Sequence, residues 1–165
     1  MSRQESFKTS AGTSAALAVA ARANPLLSSD LQELWFSLLR QRWSTLVVMP
    51  AHRGGSSLEL TQSLADVGRA HRGSRPMVID ARASELGQAA AHITEMTTHA
   101  SNGGLVLVAA SAVLENQVGI PLALAASAVL LTVTLGETDI PSLERTLELV
   151  GRQRVLGCVT LPRAR

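Results

Sequence analysis

Apolar positions along this chain fall into two alternating kinds of run. From Leu31 they recur at Leu34, Trp35, Leu38 and Leu39, a spacing that lays one stripe along a helix. Asp30 precedes the stripe with Glu33 three positions on, so Asp30 is read as the helix cap. Arg40 and Arg42 fall where cations suit the negative end of a helix dipole. Residues 45–49 are then continuous β-type apolar sequence, followed by a Pro- and Gly-containing loop over residues 50–55. Leu58, Leu60, Leu64 and Val67 predict a second helix, capped by Ser56 or Ser57 and ending near Gly68 or Gly73. Residues 76–80 read as a short strand. Residues 84–100 read as a helix with Leu86, Ala89, Ala90, Ile93 and Met96 on one face, stopped by Asn102, Gly103 and Gly104. A strand over 105–109, a short helix over 120–127, a strand over 128–135, a helix over 140–150 and a strand over 154–161 complete the order. Strands that are apolar throughout and alternate with helices predict an α/β fold, three layers with a parallel sheet covered on both faces. Residues 1–27 are small, polar and Ala-rich without a period, which predicts a flexible arm before a single domain over 28–165.

Composition narrows the function classes. The hydrophobic share is 46% but aromatics make up only 2%, so the core is built from Ala, Leu and Val. Lys8 is the one lysine among 15 cationic residues, and the net charge is only +2. With Phe7, Trp35, Phe36 and Trp43 as the aromatics, no regular stacking platform exists, and nucleic acid is not expected as a partner. Cys158 is the sole cysteine, so no intrachain disulfide can form and a reducing cytoplasm is expected. Its apolar neighbours Val155, Leu156 and Val159 make it a buried strand thiol. Residues 15–23 are too alanine-rich to drive insertion as a signal peptide. Residues 116–136 carry no charge, but Gln117, Gly119 and Pro121 interrupt them. A short buried helix and a central strand account for that run better than a membrane span.

The candidate chemistry lies in residues 45–60, TLVVMPAHRGGSSLEL. A strand, a glycine loop and a helix in that order are how a P-loop turns backbone N–H groups toward phosphate. The lysine that neutralises phosphate charge is missing, because Gly55 is followed by Ser56 and Ser57. A degenerate phosphate loop is therefore read at Arg53, Gly54, Gly55, Ser56 and Ser57, with Arg53 as the available cation. Asp80 ends an apolar strand at the edge where open α/β sheets bind ligands, and it is the candidate metal ligand should Mg²⁺ be held. His52 has no second ligand at turn or helix spacing and reads as a solvated loop histidine. His71, His92 and His99 lie on polar helix ends, the last two too far apart to share a metal.

The succession ELWFSLL, LVVMP, PMVIDAR, LVLVAASAVL, AVLLTVTLGET and RVLGCVTL resembles the cytoplasmic domain of the bacterial tyrosine kinases of polysaccharide export, within the MinD/ParA-like branch of P-loop proteins. The likeness covers about residues 29–162 and implies a P-loop NTPase-like fold of the MinD/ParA type. Departures fall on the charged positions of the family's motifs. Ser56 stands for the loop lysine and Ala51 for the branch's second lysine. Asp80-Ala81-Arg82 replaces Asp-x-Asp, Ala109 replaces the acid ending the third motif, and Leu161 stands near the base-contacting Asn. No Tyr is present to phosphorylate. In the ring-assembly signature Glu33 is kept, while Phe36 and Leu39 replace both arginines. Phosphoryl transfer rests on positioning and charge neutralisation, so these losses remove most transition-state stabilisation.

The resemblance thus implies a catalytically silent pseudo-ATPase with no catalytic residues and no cofactor expected beyond weak ATP or ADP with Mg²⁺. It would act on a protein partner, such as a membrane component of polysaccharide export or an active paralogue, or form a homo-oligomer. Its place would be the cytoplasm, at the inner membrane through that partner. One alternative is a divergent ATPase or tyrosine autokinase using Arg53. Another is a MinD/ParA-like positioning adaptor.

Overall fold

A computed structural model describes residues 28–163; the arm expected over 1–27 lies outside the described residues. Helix α1 (Ser29–Leu39) leads into strand β1 (Thr45–Pro50), followed by α2 (Leu58–Arg72), β2 (Met77–Asp80), α3 (Ala89–Ser101), β3 (Val106–Ala109), α4 (Gly119–Ala125), β4 (Ala128–Thr134), α5 (Ile140–Val150) and β5 (Val155–Leu161). Single 3₁₀ turns precede α3 at Leu86–Gln88 and β5 at Arg152–Arg154. The charge-free run resolves into α4 and β4, and no helix among the described residues is long and apolar enough to cross a membrane.

All five strands pair in parallel in the order β2-β3-β1-β4-β5. β1 lies in the middle and is buried along its whole length. Its side chains alternate between two layers, as the strand period dictates. Leu46 and Val48 join Leu31, Trp35, Leu38, Leu60 and Leu64 in the layer under α1 and α2. Val47 and Met49 join Ala89, Met96, Leu122, Leu147 and Val150 in the layer under α3, α4 and α5. The one crossover running outward to β2 puts its helix on the first face, and the three running toward β5 put theirs on the second. A single hand of crossover requires that division. The first face would then have one helix only, and α1, which precedes the sheet, supplies the other.

Several details depart from the expectations. Ser28, not Asp30, caps α1, its Oγ accepting the Leu31 N–H at 3.3 Å. α2 runs through Gly68 and ends at Gly73, whose φ of +76° suits a residue without a side chain. Gly68 sits where a Cβ would come within 2.7 Å of Trp35 Cη2 and 2.8 Å of Pro76 Cγ, so the missing side chain lets α1 and the β2 entry close on α2. Leu86, expected on the apolar face of the third helix, is 67% exposed. It lies in the 3₁₀ turn, where Glu85 and Gln88 form a capping box, so the helical period starts only at Ala89. His71 accepts a hydrogen bond from Trp35 Nε1 at 3.3 Å and tethers the end of α2 to α1.

Candidate functional site

Parallel strands deliver their following loops to one edge of the sheet, and the strands on either side of β1 set what its loop can touch. β3 and β1 are neighbours whose following helices leave on opposite faces, which makes their carboxyl ends the switch point where open sheets bind ligands. Residues 51–57 lie there.

The loop is folded onto its own surroundings. Ala51, in the place of the branch's second lysine, is fully buried and donates its N–H to the Thr132 carbonyl at 2.9 Å. His52 is 5% exposed, contrary to the solvated histidine expected. Its Nδ1 is 2.7 Å from Thr138 Oγ1, and its Nε2 is 3.4 Å from a Glu137 carboxylate oxygen without hydrogen-bond geometry. Of the two neighbours, only Thr138 is hydrogen-bonded to the ring. Arg163 lies 3.3 Å from the other Glu137 oxygen. Gly54 has φ +78°. A Cβ on Gly55 would stand 2.6 Å from Pro50 Cβ and 3.0 Å from His52 Cε1. Gly54 is therefore demanded by its left-handed backbone and Gly55 by its packing on Pro50 and His52, whatever the loop binds.

Donors that a phosphate would use are partly taken. The Gly54 N–H donates to a Glu115 carboxylate oxygen at 3.1 Å, so an acid of the β3–α4 connection sits where an anionic ligand would. Ser57 is at the cap position of α2 and its hydroxyl does not cap; it donates to the Ala110 carbonyl at 2.7 Å, buried. Ser56 and Arg53 are exposed, and among the described residues Arg53 has no ion-pair partner. Glu59 lies in the first turn of α2. Glu115 on the Gly54 amide puts negative charge at the loop itself, which disfavours a further anion there.

Asp80 lies two strands from β1. It is level with Ala109, which is level with Val48, or about 10 Å away at the usual strand spacing. Arg82 Nε and Nη2 donate to its two oxygens at 2.8 and 2.9 Å, and the Arg82 N–H adds a third bond at 3.2 Å. Hydrogen bonding from the Arg82 guanidinium holds the Asp80 carboxyl below its usual range, against the opposing effect of burial. Arg82 thus stands in place of a second acid and satisfies the first. Between Asp80 and the loop, the place of the third-motif acid is filled by the fully buried methyl of Ala109. A hollow of about 400 Å³ is lined by Asp80, Arg82, Ala83, Ser84 and Gln88, and none of residues 51–57 borders it. The Ser111 hydroxyl and the Asn116 amide pin its wall by donating to the Arg82 and Ser84 carbonyls at 2.6 and 2.9 Å. No cluster of metal-ligating side chains occurs among the described residues. The groups present do not fit a magnesium nucleotide. The hydroxyl is spent on a carbonyl, the one strand-end acid is paired, and no lysine stands in the loop.

The chain is similar to the BceF tyrosine kinase domain, with a TM-score of 0.62 at 14% identity, covering 92% of this chain and 84% of that one. It is similar also to the kinase domain of the Escherichia coli tyrosine kinase ETK, with a TM-score of 0.61 at 13% identity, covering 88% and 81%. The fold is that of a bacterial tyrosine kinase domain. No family model and no curated protein matches the sequence, so within the bacterial tyrosine kinase fold the likeness is one of architecture. The P-loop-like sheet with helices on both faces, expected from the pattern and the resemblance, is the one found.

Sequence reading located the loop and Asp80 but missed Glu115, Arg82 as Asp80's partner, and the burial of His52. Glu115 carried one signal: it is the last charge before the charge-free run from residue 116, so it marks where the chain leaves the sheet edge. Arg82 is two residues from Asp80, the spacing of a local turn pair. Nothing near His52 foretells Thr138, which lies in the loop between β4 and α5. Cys158 is half-buried in β5 and burial pushes its thiol pKa up, as suits a strand thiol rather than a nucleophile.

Proposed function

We propose that this chain is a catalytically silent member of the P-loop kinase-like fold that works by binding a protein partner. The observation that carries the reading is the state of the loop: Glu115 occupies the Gly54 N–H, Ser57 donates to Ala110, and no lysine is available. A loop that spends its Gly54 amide and its Ser57 hydroxyl on the chain itself is held in place from within, which suits a platform. The resemblance to polysaccharide-export kinases supports exopolysaccharide synthesis or export as the setting. It supports an export component at the inner membrane, or an active paralogue, as the partner of a cytoplasmic protein. Exposed Arg53 favours one other reading, a divergent ATPase in which that guanidinium serves the phosphate.

Thermal unfolding with millimolar ATP or ADP and Mg²⁺ separates the two. Ligand at about 100 times its dissociation constant adds roughly 2.7 kcal/mol, several degrees for a domain of this size. The silent reading expects no shift in the native chain, and a gain only when Ser56→Lys supplies the charge and Glu115→Ala frees the amide. A magnesium-dependent shift in the native chain, abolished by Arg53→Ala, overturns it in favour of the divergent ATPase.

A further inference from the structure

The amino-terminal edge of the sheet, opposite the degenerate loop, carries a second hollow of about 270 Å³. The connection from α2 to β2 forms one wall with Arg72, Ser74 and Arg75, and the connection from α3 to β3 forms the other with His99, Asn102 and Gly104. None of the residues lining it is an acid. The sequence on both sides is equally free of them. Between Asp66 and Asp80 the chain carries Arg69, His71, Arg72 and Arg75 and no acid, and between Glu95 and Glu115 it carries no acid either.

Two helices end at this edge, and their carbonyl ends favour cations in the last turn. Arg69, His71 and Arg72 close α2 and His99 closes α3, so the dipoles account for part of the charge. They do not account for Arg75, which lies past the end of α2. Asp66 accepts its Nε–H at 3.0 Å, and its two terminal nitrogens make no hydrogen bond to any of the described residues. Asp66 therefore positions the guanidinium without using it up. Arg72 has no ion-pair partner among the described residues. On the other wall, the His99 ring fills the space that a Cβ on Gly104 would need, and Gly103 turns the chain there with φ +84°.

We propose that this hollow is an anion site that takes a phosphate monoester. Two guanidiniums on one wall offset the charge of about −1.5 to −2 that such a group carries at neutral pH, and no carboxylate stands in the hollow to compete. A planar carboxylate is satisfied by a single guanidinium fork. Here the donors stand on two walls, Arg72, Arg75 and the Ser74 hydroxyl on one and His99 and the Asn102 amide on the other. A tetrahedral group with three acceptor oxygens can join both walls at once. The phosphate leaves room in the hollow for the carbon group that bears it, either a small free molecule or a phosphorylated side chain of a protein partner. The site lies at the other end of the strands from residues 51–57, so it stands whether or not the loop there is silent.

Backbone NMR of the full chain, titrated at constant ionic strength, tests this. Methyl phosphate at millimolar concentration shifts the amides of Ser74, Asn102, Gly103 and Gly104 and the shifts saturate. Dimethyl phosphate, which has the same shape and a single charge, binds at least tenfold more weakly, and so does acetate. The double variant Arg72→Gln, Arg75→Gln weakens methyl phosphate tenfold or more, while Arg53→Gln in the distant loop changes nothing. N-acetylphosphoserine amide separates the sources: tighter binding than methyl phosphate points to a phosphorylated side chain, and equal or weaker binding to a small free molecule. The proposal is overturned by shifts that never saturate, by acetate or dimethyl phosphate binding as well as methyl phosphate, or by a folded double variant that binds like the native chain. Shifts confined to residues 53–57 overturn it as well, together with the silent reading of the loop, whereas shifts at both places overturn only that reading. Should the double variant not fold, the map of shifted amides and the ligand series on the native chain decide.

Discussion

Asp80 and Arg82, two positions apart, close on each other by three hydrogen bonds at the mouth of the sheet. Their side chains are substantially solvent-exposed, so the pair is worth about 0–1 kcal/mol. Asp80→Asn should therefore lower stability by no more than about 1 kcal/mol at pH 7. Arg82 holds the carboxyl below its ordinary 3.8. The contribution is then fully present above that value and lost as pH falls through the lower folded value. Urea unfolding of native and Asp80→Asn proteins should differ at neutral pH and converge in strong acid. A difference that grows in acid would mean that Arg82 is not its partner. Gly55→Ala is expected to cost about 1–3 kcal/mol, because the new methyl meets Pro50 and the ring of His52. A neutral result by the same measurement would show that the loop can open. Gly54 and Gly55 were legible in the sequence because glycine announces special backbone and close approach. His52 and Glu115 were not, because their partners Thr138 and Gly54 lie 86 and 61 positions away.

Helices α1 and α2 meet through a large side chain and an absent one. Trp35 is fully buried, sets its edge against Trp43 at 6.1 Å between centroids, and lies over Gly68 of α2. Trp35→Ala should cost about 3–5 kcal/mol, and Gly68→Ala about 1–3 kcal/mol by overfilling the same contact. Chemical denaturation reads both, and a small loss for Trp35→Ala would mean that α1 is not docked in solution. The strands were legible because each is apolar throughout, as a strand covered on both faces must be. The start of α3 was not, because the capping box of Glu85 and Gln88 shifts the first helical turn beyond Leu86.

Across the whole molecule, protection should grade from the middle of the sheet outward. β1 is bonded to β3 and β4 and buried on both faces, so its amides should exchange only by global unfolding. Those of the four-residue edge strand β2 should exchange through smaller openings. Exchange of β1 faster than β2 would sink this account of the core. The central place of β1 also fixes when the protein can fold on the ribosome. Its last residue pairs with Thr132, so at usual synthesis rates the strand waits roughly 4–16 s for β4, the later made of its two neighbours. As β1 emerges, α1 is the one packing partner already synthesised, and it can shield one side of the strand until α2 and β3 follow. Trp35 and its helix thus stand ready to act as a chaperone in cis for an apolar strand of the nascent chain that still lacks its partners.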